Sequence, residues 1–130
     1  MSRSRRVALA DRLAEYDTLI EVGVGQRWAV ARTLASRGCT VTATDIVDRT
    51  PPASVMFVRD DITAPDRSVY AGADAIYALR CPPELHRSLV RLGRSVDAAV
   101  RFTTLGTDPP AVPVDPIALP GTTLYVPAGP

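Results

Sequence analysis

Thr18 to Gly25 reads Thr-Leu-Ile-Glu-Val-Gly-Val-Gly, a short apolar run closed by an acid and two alternate glycines, and a helical pattern follows it. Such a stretch is a strand that turns abruptly into a helix. The glycines are the constraint, because only a residue without Cβ turns the backbone tightly off a strand end and lets a ligand approach the main chain. The pattern predicts an α/β arrangement with a nucleotide-type opening at the end of its first strand.

The neighbouring stretches extend that arrangement. Arg3 to Tyr16 sets Val7, Leu9, Ala10, Leu13, Ala14 and Tyr16 close to helical spacing, which predicts a leading helix with a frayed, solvated start at Arg3, Arg5 and Arg6. Leu19 to Val22 reads as a buried strand. Arg27 to Arg37 reads as a helix with Val30, Ala31 and Leu34 inward and Gly38 at its C-terminal cap, and Thr40 to Thr44 as a second strand. Strand, helix, strand is a βαβ unit, and its handedness makes the strands parallel.

Further strands are expected at Val55 to Val58, Ala75 to Leu79 and Ala98 to Phe102, with a helix from about Glu84 to Val96 opened by Pro82-Pro83. Seven of the twelve prolines lie from Pro109 onward, which excludes helix and predicts an extended wrapping segment over 106–130, with a terminal edge strand at Leu124 to Val126. The whole is expected to be one Rossmann-like domain over 1–130, its core about 7–105. Its doubly wound, mainly parallel sheet is expected in the order 3-2-1-4-5, between two helical layers. Ligands of such sheets bind at the strands' carboxyl ends, where the order reverses. The residues there are Glu21 to Gly25, Asp45, Asp60, Asp61, Arg80 to Pro83 and Thr103.

Composition narrows the setting. With 130 residues, 46% hydrophobic and 22% charged, the chain suits one ordinary core. No apolar run approaches the roughly eighteen residues of a membrane span, and Met1 to Arg12 lacks the apolar centre of a secretory signal, so a cytoplasmic protein without membrane partners is expected. Cys39 and Cys81 stand far apart without metal-ligand spacing and are expected as free thiols. A net charge of +1 argues neither for nor against nucleic acid.

The ligand is constrained mainly by Glu21 and Asp45. An acid about twenty residues past the glycines, here Asp45, accepts from ribose hydroxyls in both dinucleotide and S-adenosylmethionine folds and does not separate them. The dinucleotide fingerprint wants a third glycine where this chain has Trp28. Glu21 discriminates better. A carboxylate there repels a pyrophosphate, at about 4 kcal/mol for like charges about 4 Å apart at an effective dielectric near 20, but suits a ligand bearing an ammonium and a sulfonium. Arg27, in the first helical turn, favours phosphate instead. An S-adenosylmethionine site, in a possible minimal methyltransferase, is therefore the leading expectation, with a non-catalytic nucleotide-sensing or partner-binding module second and an NAD-binding module third.

Glu21-Val22-Gly23-Val24-Gly25 resembles the first motif of class I S-adenosylmethionine-dependent methyltransferases, with Arg27 in place of the third glycine. That resemblance implies ribose contact at Asp45 and adenine contact at Asp60 or Asp61. The set Ile-Glu-Val-Gly-Val-Gly, Ala-Thr-Asp-Ile, Asp-Asp-Ile-Thr and Ala-Asp-Ala-Ile-Tyr-Ala-Leu-Arg-Cys-Pro-Pro-Glu-Leu is similar, over roughly residues 10 to 105, to a short uncharacterised archaeal protein family of this fold. The resemblance implies cofactor contacts at Glu21, Gly23, Gly25, Asp45, Asp60, Asp61 and Arg80, and no particular reaction.

Catalytic groups are sparse. Amino-methyltransferases similar to this chain carry an acid or amide before Pro-Pro together with an aromatic; here the stretch is Arg80-Cys81-Pro82-Pro83-Glu84-Leu85, which lacks both. Cys81 reads as a buried small residue, His86 as a solvated one pointing away from the leucine face, and Asp60, Asp61 and Asp66 as turn and cap residues without metal-ligand spacing. Arg87, Arg91 and Arg94 recur at helical spacing as a solvated face or as a stripe for an anionic partner such as RNA. Without insertions that form a substrate lid, a methyl acceptor site is expected to need a protein partner or a second copy of the chain.

Overall fold

The computed structural model describes residues 1–129, and seven strands form one sheet in the order β3-β2-β1-β4-β5-β7-β6. The strands are β1 (Thr18–Val22), β2 (Thr40–Asp45), β3 (Met56–Arg59), β4 (Ala75–Ala78), β5 (Ala99–Phe102), β6 (Val114–Leu119) and β7 (Thr122–Pro127). The first five are parallel and stand in the expected order. Chain order reverses beside β1, which pairs β2 on one side and β4 on the other. The opening at its carboxyl end therefore follows from topology.

Two helices cover each face. α1 (Arg3–Leu13), started by the Ser2 hydroxyl accepting the Arg5 amide at 3.2 Å, and α2 (Ala29–Ser36) bury Leu9, Leu13, Val30 and Leu34 against Leu19, Val41, Ala75 and Tyr77. α3 (Arg67–Tyr70) and α4 (His86–Val96) bury Tyr70, Leu89 and Leu92 against Ile20, Ile76, Val100 and Phe102. Alternate residues of β1 thus supply both cores, the signature of a strand enclosed on both faces. α4 lies so close to β5 that a Cβ on Gly93 would overlap the Val100 side chain, which is why a glycine interrupts this helix. Among the described residues no helix is long and apolar enough to cross a membrane.

Four expectations need correction. Residues 106–129 hold a β-hairpin rather than only a wrapping segment. Leu124 to Val126 lies within β7, which pairs β5 antiparallel, and the edge is β6. The alternation in β6 is blurred by Pro116, which an edge strand tolerates and an interior strand does not. Arg5 is not part of a frayed end: it is half-buried, and its Nε is enclosed against the hairpin.

His86 is wholly buried instead of solvated. Pro83–Leu85 forms a 3-10 turn, so α4 proper begins at His86 with its ring turned inward. The ring stacks on Phe102 with centroids 4.4 Å apart, its Nε2 lies 2.9 Å from the Cys81 carbonyl, and its Nδ1 is 3.0 Å from the Ala111 amide. Both bonds are satisfied when Nε2 carries the proton and Nδ1 accepts, so the ring ties the chain after β4 to the chain entering the hairpin. His86→Phe keeps the stacking but deletes both bonds. Chemical denaturation should show a loss of about 1–3 kcal/mol, with the midpoint moved and the slope unchanged.

Candidate functional site

The glycine turn is built from main-chain bonds to β2. The amides of Gly23 and Val24 donate to the Thr44 carbonyl at 2.9 and 3.2 Å, and the Gly25 amide donates to Asp45 Oδ2 at 2.7 Å. Gly23 and Gly25 have φ of 70° and 59°, and a Cβ on either would meet no neighbour, so left-handed backbone rather than crowding selects glycine at both. Three successive amides are therefore turned toward the sheet. These three amides hold the turn onto β2 and do not face a ligand. Trp28, where the dinucleotide fingerprint has its third glycine, instead packs edge-on against Phe57 with centroids 6.4 Å apart.

Above the turn lies a basin of about 600 Å³ whose lining includes Glu21, Gly23, Gly25, Arg27, Arg49 and Arg80. Its size is that of a small-molecule site. Glu21 forms the floor. It is 2% exposed and accepts the Tyr77 hydroxyl at 2.8 Å, and in the parallel register Glu21 stands directly beside Tyr77. Burial pushes the carboxyl up to about 8, although the Tyr77 bond acts to lower it, and the Tyr77 hydroxyl is itself raised by burial and then by the neighbouring Glu21. No cation lies within ion-pair distance of Glu21 among the described residues. The floor is thus a proton-bearing acid, and the rim carries guanidiniums.

Arg80 closes the basin from the end of β4. Its φ is 54°, a left-handed conformation that costs of order 1 kcal/mol in a residue with a Cβ, and its amide donates to Thr103 Oγ1 at 2.8 Å. Sequence reasoning placed Arg80 at a strand end and missed both this backbone state and Tyr77. Nothing local marks Tyr77 as a partner of a residue 56 positions away.

The remaining sequence-predicted residues are not in the basin. Asp45 sits behind the turn, 8% exposed, with Oδ2 on Gly25, Oδ1 accepting the Val47 amide at 3.1 Å and Arg49 Nε 3.5 Å away. Its carboxylate holds the turn rather than lining the cavity. Asp60 accepts the Tyr70 hydroxyl at 2.7 Å and the Asp66 amide, while Asp61 caps Thr63 through both amide and hydroxyl, which hold Asp61 below the usual carboxylate range. Among the described residues no three potential ligands converge on a metal position. Cys81 is buried and pushed up to about 12, first by desolvation and then by Glu84, which makes it a poor nucleophile. Arg87, Arg91 and Arg94 share the exposed face of α4, beside Val112 and Pro127.

The raised Glu21 carboxyl has a stability signature. Between its ordinary value of 4.5 and about 8, the folded protein holds a proton that the unfolded chain has lost. Its contribution is complete below the lower value and falls as pH rises toward 8, by at most about 1.4 kcal/mol per pH unit. Glu21→Gln keeps an acceptor for Tyr77 without a proton to lose. Thermal melts of both proteins from pH 5 to pH 9 should therefore diverge, with the variant gaining on the wild type as pH rises.

The comparisons agree with this architecture. A TehB-like SAM-dependent methyltransferase of Corynebacterium glutamicum superposes with a TM-score of 0.61 at 14% identity, over 98% of this chain and 89% of that one. An RNA methyltransferase of Salinibacter ruber, solved with S-adenosyl-L-homocysteine, gives 0.63 at 18% identity, over 97% and 90%. A Rhodobacter sphaeroides chain described under Zn-dependent alcohol dehydrogenases gives 0.57 at 22% identity, and this chain spans 48% of its length. At such identities the likeness is one of fold alone. Sequence relatives are nearer: UPF0146 proteins of Halobacterium salinarum and Archaeoglobus fulgidus are 57% identical over 102 residues and 46% identical over 92, covering 79% and 71% of those proteins. With its residues 6–120 matching the family model described as Uncharacterised protein family (UPF0146), the chain belongs to that family.

Proposed function

We propose that the basin at the end of β1 binds S-adenosylmethionine and that the protein is a minimal methyltransferase. The observation that carries this reading is Glu21, a buried carboxyl at the floor of a ligand-sized basin with no cation of its own, surrounded by arginines at the rim. A ligand with an ammonium and sulfonium on one side and a carboxylate on the other matches that distribution of charge. The solved relatives of this fold that hold S-adenosyl-L-homocysteine support the same choice.

The residues divide the work by position. Glu21 faces the cationic groups, Gly23 and Gly25 leave the backbone bare beside the ligand, and Arg27 and Arg80 face its carboxylate. Asp45 positions the turn through the Gly25 amide and acts on the ligand indirectly. Asp60 and Asp61 spend their carboxylates on local bonds. When bound, S-adenosylmethionine supplies an electrophilic methyl carbon. Glu21, Arg27 and Arg80 would hold the group in place, and it would supply its methyl to an acceptor lone pair, leaving as the neutral thioether. Orientation supplies most of such a rate enhancement, and no side chain in the basin is needed as a strong base.

Binding a cation beside Glu21 favours its ionised form, so binding expels the proton that burial keeps there. Calorimetry with S-adenosylmethionine should show affinity rising from pH 6.5 to 8.5 and a proton released to buffer. Glu21→Gln should weaken binding and abolish both effects. Absence of binding by both S-adenosylmethionine and S-adenosylhomocysteine would exclude the reading.

A further inference from the structure

A second basin of about 490 Å³ adjoins the first and shares Arg27 and Arg80 with it. Arg5 from α1 reaches it from the other side, and its polar lining continues with Thr103 after β5 and with Thr122 and Tyr125 on β7. Among the described residues no carboxylate lines it. None of Arg5, Arg27 and Arg80 is in an ion pair among the described residues, although the chain as a whole is close to neutral. Arg5 Nε is moreover buried without a hydrogen-bond partner, an arrangement that costs free energy unless something else bonds that group. Thr103 Oγ1 already accepts the Arg80 amide, so its hydroxyl proton is free to donate. Three guanidiniums with hydroxyl donors and no acid are a complement for a compact, multiply charged anion, and planar guanidiniums suit phosphate in particular.

We infer that the second basin binds the phosphate of a small phosphorylated molecule, which is the methyl acceptor. This rests on the proposed cofactor reading, since the shared Arg27 and Arg80 are what bring an acceptor anchored here to the edge of the first basin. A small molecule fits better than a nucleic acid strand. The basin is the size of a small-molecule site, Tyr125 is the only aromatic in its lining among the described residues, and the separate Arg87-Arg91-Arg94 row belongs to α4, which contributes nothing to this lining.

The test titrates full-length protein with ribose 5-phosphate, ribose, inorganic pyrophosphate and a short single-stranded RNA, and in parallel with S-adenosylmethionine. The wild type should bind the two phosphate probes and not ribose. Arg5→Met, which keeps the apolar stem, should weaken phosphate binding roughly 10- to 100-fold while leaving S-adenosylmethionine affinity within about twofold. Should Arg5→Met fold poorly, Arg5→Lys retains stem and charge without the fork and should show an intermediate loss. Failure of both probes to bind, equal binding by the Arg5 variants, or RNA binding that neither probe displaces would overturn the proposal. Probe binding that depends on Arg5 in a protein that ignores S-adenosylmethionine would keep the phosphate site and sink the cofactor reading; the converse result would do the opposite.

Discussion

The bonds from the turn after β1 to the end of β2 hold the whole site in place. Thr44 supplies one carbonyl to two amides and Asp45 supplies a carboxylate to a third. Those contacts fix the two left-handed glycines, aim α2 back over the sheet, and leave the end of β1 open above Glu21. A chain that lost them would still have its two cores, because Leu19 and Ile20 face opposite sides independently of the turn. It would not have a basin.

Glu21 is tolerated in that position for a related reason. A fully ionised carboxylate without a cation would be costly inside the sheet, and the chain avoids that cost by keeping the acid protonated beside a tyrosine hydroxyl that is also hard to ionise. The pair forms because β1 and β4 run parallel in a register that sets residue 21 beside residue 77. Topology thus produces the electrostatics: the reversal of strand order makes β4 the neighbour of β1, and the neighbour supplies the hydroxyl.

Most of the parallel half was legible in the sequence, because each of its signals is local. The apolar run, two glycines, an amphipathic stretch and a β-branched run follow one another, and handedness then orders the strands. What escaped was set by contacts between distant segments. His86 looks solvated when only its own helix is considered, and is buried because residues around Ala111 return to cover it. Arg5 looks like a frayed terminus until the hairpin closes over it. Asp45 was legible as an acid at the right distance, yet its task depends on which neighbouring amide it meets, and the spacing does not reveal that. Tyr77 carried no local mark at all.

The hairpin formed by β6 and β7 has a consequence for how the two basins are encoded. The first draws on Met1, on residues 21–30, on Arg49 and on the end of β4, and among the described residues takes nothing from the hairpin. The second takes one wall from β7 and another from α1. Substitutions in the last fifth of the chain therefore reshape one cavity while leaving the other untouched, and a lineage of such proteins is free to diverge in what the outer cavity admits while keeping what the inner one holds.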